Sequence, residues 1–89
     1  MKTVAEVEIY TTPWCPYCVA AKELLAARRI AYREIDVSTD PERRAEARAR
    51  SGRHTVPQIL IDGEAIGGYA DLARLDAEGD LAGLVHEQA

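Results

Sequence analysis

Two cysteines with two residues between them sit at the seam between two kinds of sequence. Ahead of Trp14-Cys15-Pro16-Tyr17-Cys18, the run Val4-Ala5-Glu6-Val7-Glu8-Ile9-Tyr10 alternates and is rich in β-branched residues, which predicts a strand. Behind it, Val19 to Arg29 is rich in Ala, Leu, Lys and Arg, which favour helix. Cys15 therefore stands where a strand ends and a helix begins. Pro16 suits the first helical turn, because the N–H it lacks would have had no partner there.

This placement has a chemical consequence. A helix N-terminus carries partial positive charge and unpaired N–H groups, and both stabilise a thiolate more than a thiol. Cys15 is thus expected to be the exposed nucleophile, activated as the first thiol of Cys-X-X-Cys sites is. Cys18 lies one turn further in, without this help, and is expected to be the more buried resolving partner. The pair has two other uses, a static disulfide or half of a structural zinc site. A structural zinc site usually takes four ligands. The chain has no second cysteine pair, and only His54 and His86 remain to complete one. A Cys-X-X-Cys beside a strand–helix–strand pattern favours redox chemistry, and no metal is expected.

The 89 residues are enough for one domain, taken as residues 1–89, with one modest core. An apolar share of 47% and a charged share of 29% are those of a soluble globular protein. The net charge of −4 argues against a nucleic-acid binder that works by neutralising phosphates. No basic amphipathic helix points to a membrane surface, and no apolar run approaches the roughly 20 residues of a membrane span. Met1-Lys2-Thr3 leads into the strand with no signal-peptide pattern. The expected setting is the cytosol, where a Cys-X-X-Cys is more often catalytic than structural.

A first helix is expected from Pro16 to Arg28, with Ala21, Leu24, Leu25 and Arg28 along its inner face. Ala31 to Val37 reads as a second strand, parallel to the first through a right-handed crossover, with Ile35 and Val37 inward. Asp40-Pro41-Glu42 is a helix start: cap, first-turn proline and an acid that suits the dipole. That helix is Arg-rich and ends at Ser51-Gly52. Its basic face is either solvated surface or a means of attracting an anionic substrate. Ile59-Leu60-Ile61 reads as a buried strand, Asp62-Gly63 as a two-residue hairpin turn, and Glu64-Ala65-Ile66 as the return strand. Gly67-Gly68 breaks the chain before a helix from Tyr69 to Ala77. A last short helix from Gly79-Asp80 is expected to pack Leu81, Leu84 and Val85 inward, with His86 at the surface. The fold class is therefore α/β, with a four-stranded mixed sheet of two parallel strands plus an antiparallel hairpin and helices on both faces.

Three stretches together resemble the glutaredoxins, of the dithiol class and most like the small bacterial ones. They are Cys15-Pro16-Tyr17-Cys18 followed by Ala21-Lys22, Ser51-Gly52-Arg53 leading into Thr55-Val56-Pro57-Gln58, and Gly67-Gly68-Tyr69-Ala70-Asp71-Leu72. The resemblance covers almost the whole chain. It implies the thioredoxin fold and glutathione-dependent thiol–disulfide exchange. It implies that the Val56–Pro57 bond is cis and faces Cys15, leaving the Val56 backbone to pair with the cysteinyl part of glutathione as an added strand. It implies that Gly68, Tyr69, Ala70 and Asp71 open a helix whose free N–H groups suit the γ-glutamyl carboxylate, with Asp71 toward its ammonium. Tyr17 is expected to flank the groove, beside Thr55, Val56 and Pro57.

The sequence departs from the family pattern at two places. Many members carry Lys where this chain has Thr12, and Ser or Asp where it has Ala70. Both changes point to weaker glutathione affinity, with Arg48, Arg50 and Arg53 as candidates to replace the missing charge. The implied partners are glutathione, glutathionylated or disulfide-bonded proteins such as ribonucleotide reductase, and glutathione reductase through the glutathione pool. A monomer is expected. Trp14 before the first cysteine also occurs in thioredoxins and related redoxins, which makes a redoxin reduced directly by thioredoxin reductase the main alternative. An iron–sulfur carrier ligated by glutathione is a further one, which Pro16 disfavours.

Overall fold

The first strand is buried on both of its sides. In the computed structural model, which describes residues 6–81, β1 (Val7–Thr11) is buried along its whole length. Val7 and Ile9 join one apolar cluster and Tyr10 joins another, so the strand sits between two layers. Its neighbours are β2 (Arg33–Asp36), which runs parallel, and β3 (Gln58–Ile61), which runs antiparallel. β4 (Glu64–Gly67) completes the sheet against β3, giving the order β2-β1-β3-β4. The Asp62-Gly63 turn between β3 and β4 has positive φ at both residues, 53° and 82°, as a two-residue hairpin of matching twist requires.

Three helices cover the sheet among the described residues: α1 (Pro16–Ala27), α2 (Pro41–Ser51) and α3 (Tyr69–Ala77). α1 and α3 share one face. There Ala21, Leu25 and Leu72 close over Val7, Ile9, Ile59 and Ile61, and Leu81 seals the edge. α2 lies on the other face, where Ala47 meets Tyr10, Val37 and Leu60. This is the thioredoxin fold, with the mixed sheet and two-sided helices that the sequence predicts.

Local chemistry sets the element ends. The Asp40 carboxylate accepts the N–H groups of Glu42 and Arg43, both at 3.1 Å, and Pro41 takes the first helical position. Such a cap contributes about 1 kcal/mol. Gly52 ends α2 at φ 75°, a left-handed conformation that glycine adopts without strain. The helix from Pro16 stops at Ala27 rather than Arg28. Arg28 turns outward, its guanidinium donating to both carboxylate oxygens of Asp76 on α3 at 2.6 and 2.8 Å. The second strand is shorter than Ala31–Val37. Val37 is buried beyond its end, donating its N–H to Thr11, and Ile35 is half-buried. Of the first strand's expected start, Val4 and Ala5 lie outside the described residues, as do Leu84, Val85 and His86 of the last short helix.

The polar residues of β1 have an unexpected setting. Glu8 is buried on the α2 side of the sheet, where it accepts from Arg33 of β2 and from Arg50 of α2, the latter at 2.8 and 3.3 Å. The Tyr10 hydroxyl donates to Glu46 and accepts from Arg50 at 2.8 Å. Arg50 thus closes a network that ties α2 to the sheet. The hydrogen bond from Arg50, joined by Arg33 and opposed by burial, holds the Glu8 carboxyl below the ordinary carboxylate range.

Candidate active site

Cys15 is the N-cap of α1, with extended backbone, and Pro16 is the first helical residue, as the sequence predicts. Its Sγ lies in the open first turn and accepts the N–H of Cys18 at 3.2 Å. When protonated, the same sulfur donates to the Val56 carbonyl at 3.6 Å. Both cysteines are free thiols, Cys15 half-buried and Cys18 fully buried. Burial, reinforced by the hydrogen bond to Cys15, pushes the Cys18 thiol up to about 12, while the backbone of Thr12 and the charge of Lys22 pull the other way. The two sulfurs are therefore chemically unequal in the sense the helix position predicts: one reachable, one sequestered.

The loop between α2 and β3 comes to Cys15 through Val56. Its Val56–Pro57 bond is cis. Gln58, buried at the start of β3, holds this loop by donating from Nε2 to the Thr55 carbonyl at 3.0 Å and the Thr55 hydroxyl at 3.1 Å. The turn between β4 and α3 meets the same loop from the other side. A Cβ on Gly68 would stand 3.4 Å from the Pro57 carbonyl, so the two backbones nearly touch. Tyr17 and Tyr69, at the starts of α1 and α3, bring their rings to 6.2 Å between centroids at 31°. Cys15 to Val56, Pro57 to Gly68 and Tyr17 to Tyr69 are three links that gather all three sequence stretches at one end of the sheet.

Asp71 has a structural occupation of its own. Its Oδ2 accepts the Gly68 N–H at 3.0 Å and so caps α3, while its other oxygen accepts from Arg74 at 3.1 Å. Arg53 approaches from across the groove at 3.6 Å. Ala70 is exposed and offers no polar side-chain atom. Tyr17 (65% exposed) and Trp14 (74% exposed) leave broad apolar surface beside the reachable sulfur. Thr12 is buried, and its carbonyl accepts the Cys15 N–H at 3.4 Å, so no side-chain charge stands at that position.

Of the arginines expected to supply that charge, Arg50 is spoken for. It turns toward the sheet, where it is engaged by Glu8 and Tyr10. Arg48 and Arg53 instead line an open groove of about 320 Å³ that begins at Thr55 and Val56. Arg44 and His54 line it as well. Arg44 was not legible as a site residue, though its spacing of four from Arg48 places both on one side of α2. Among the described residues no three or more His, Cys, Asp or Glu side chains gather as a metal site would.

The glutaredoxin family model matches residues 7–66. Glutaredoxin 3 of Escherichia coli (strain K12) is 49% identical over 78 residues, which is 88% of this chain and 94% of that protein. The solution structure of glutaredoxin from Brucella melitensis superposes with a TM-score of 0.83 at 49% identity, covering 94% of this chain and 91% of that one. A buckwheat glutaredoxin–glutathione complex superposes equally well, with a TM-score of 0.83 over 91% of this chain and 76% of that one, at 23% identity.

Proposed function

Because the chain belongs to the glutaredoxin family, we propose that Cys15 and Cys18 carry out its thiol–disulfide exchange with glutathione as the reductant. The protein is a thiol–disulfide oxidoreductase by family and fold. The observation that carries the glutathione reading is the convergence just described: a reachable Cys15 sulfur beside the Val56 backbone, with the Gly68 turn behind Pro57.

A glutathione chain fits this geometry in one direction. Its cysteinyl sulfur meets Cys15 while its backbone lies along Val56. Its γ-glutamyl carboxylate takes the N–H groups at the start of α3, near Tyr69 and Ala70, and its ammonium takes Asp71. Its glycyl carboxylate extends toward the groove where Arg44 and Arg48 stand. Tyr17 covers the groove beside Thr55 and Pro57.

The chemistry follows from the unequal sulfurs. Cys15 thiolate attacks the glutathionyl sulfur of a glutathionylated protein, and the protein leaves as a thiolate that takes a proton. A second glutathione thiolate then attacks the Cys15-bound glutathionyl sulfur. This releases glutathione disulfide, the substrate of glutathione reductase, and regenerates Cys15. With a protein disulfide such as that of ribonucleotide reductase, Cys18 resolves the mixed disulfide and leaves a Cys15–Cys18 bond. Two glutathiones reduce that bond. We place this activity in the cytoplasm and in a monomer.

Cys15→Ser is expected to abolish both activities, and Cys18→Ser to keep deglutathionylation while losing disulfide reduction. Equal loss in the two variants on a glutathionylated substrate contradicts the division of roles. A second reading, reduction by a thioredoxin reductase, draws on exposed Trp14 and uncharged Thr12.

A further inference from the structure

Lys22 stands one helical turn beyond Cys18, on the same side of α1. Its ammonium is tethered rather than solvated freely. Glu34 Oε2 on β2 accepts from it at 2.9 Å, and the same oxygen accepts from the Thr11 hydroxyl at 2.7 Å. Thr11 is buried at the end of β1. The chain Thr11–Glu34–Lys22 thus fixes a positive charge to the end of β1, one helical turn along α1 from the buried sulfur. Stability alone gives this tether little reason. Lys22 and Glu34 are 27% and 37% exposed, and such pairs contribute about 0–1 kcal/mol.

We propose that Lys22, held by Glu34 and Thr11, is a positioning residue for the resolving half of the reaction, stabilising the Cys18 thiolate as it forms. This rests on the reading of Cys18 as the resolving thiol. In that step the Cys18 thiolate attacks the Cys15 sulfur of a mixed disulfide. The Cys15–Cys18 bond forms, the bond to the target sulfur breaks, and the electron pair departs on the target thiolate. The proton given up by Cys18 goes to water or to the departing thiolate. The target sulfur is reduced and the cysteine pair oxidised.

The timing makes the charge matter. Before the first attack, Cys15 itself opposes ionisation of Cys18 through their hydrogen bond and like charge. Once Cys15 is in a mixed disulfide, that opposition ends. Burial then remains as the cost, and Lys22 as the charge that offsets it. Among the described residues, Cys15 and Lys22 are the titratable groups with the largest action on Cys18. Glu34 on β2 and Tyr32 ahead of it act on Lys22, and Asp36 is close enough to act on Glu34.

Dithiobis(nitrobenzoate) in stopped flow separates the two halves. Reduced protein releases one coloured thiolate as Cys15 is modified, in a phase that scales with reagent. It releases a second as Cys18 closes the disulfide, in a first-order phase independent of reagent. Lys22→Met is expected to slow the second phase relative to the first by about three- to tenfold and to move its pH profile upward. Lys22→Arg, which keeps the charge, is expected to restore both. An unchanged ratio and profile in Lys22→Met, or Lys22→Arg as slow as Lys22→Met, overturns the proposal. Cys18→Ser is expected to release a single thiolate. A second first-order phase in Cys18→Ser overturns the resolving role itself, and the proposal with it.

Discussion

Gly67 is the position where one methyl group tests the construction of the site. Its φ of 118° is one that side-chain-bearing residues rarely adopt. A Cβ built there meets the Asp71 carboxylate, 2.2 Å from Oδ2 and 2.7 Å from Cγ. Gly67→Ala therefore has two separable costs. Asp71 must swing away and give up the Gly68 N–H, a lost cap of about 0.5–2 kcal/mol. The backbone must hold alanine at positive φ or shift, about 1–3 kcal/mol. The sum is about 1.5–5 kcal/mol, which is a large share of the stability of a small domain. At an m-value of about 2 kcal/mol per molar urea, the midpoint falls by about 0.8–2.5 M. The two costs are told apart in an Asp71→Ala background, where the cap is already gone. There Gly67→Ala is expected to cost about 1 kcal/mol less than in the parent. Urea denaturation followed by circular dichroism measures both. A loss below about 0.5 kcal/mol, or strict additivity of the two substitutions, refutes the packing of Gly67 against Asp71.

Two further outcomes follow from the charges. Glu8 ionises below its ordinary value of 4.5 in the folded chain, so its contribution to stability is complete above that value and is lost as pH falls through the folded value. Glu8→Gln is expected to flatten the fall in urea midpoint on acidification below pH about 4.5, and parallel acid limbs in the two proteins would sink this. Arg44→Gln with Arg48→Gln is expected to raise the KM for glutathione about three- to tenfold with little change in kcat, since the contact proposed for these groups is with a remote carboxylate and not with the reacting sulfurs; an unchanged KM removes the groove from the proposed binding site.

Much of this molecule is written in local chemistry. Asp40-Pro41-Glu42, Asp62-Gly63 and Gly67-Gly68 each encode a cap or a turn that neighbouring residues decide among themselves, and each occurs in the structure where the sequence places it. The Cys15 N-cap belongs to the same class. What escaped the sequence depends on distant partners. Alternation along β1 marks a strand but does not say that its polar side is covered. Glu8 is buried because Arg33 and Arg50 arrive from 25 and 42 residues away. Arg50 is therefore withdrawn from the groove at Thr55 and Val56, although nothing in the composition of α2 distinguishes it from Arg48. Which arginine of a basic helix faces the sheet and which faces a ligand is settled by the rotation of the helix, and its one buried residue, Ala47, is a weak signal of that. Asp71 shows the converse. The family resemblance implies only a ligand contact for it, and the structure adds a cap, visible in the hydrogen bond to Gly68.

The most direct test of the account is a coupled assay of NADPH oxidation on a glutathione mixed disulfide. One arm contains glutathione with glutathione reductase, and the other contains thioredoxin reductase alone. The account predicts NADPH consumption in the glutathione arm that requires Cys15 and little in the other. Turnover confined to the thioredoxin reductase arm would contradict it, leaving the exchange chemistry in place but removing glutathione as the reductant.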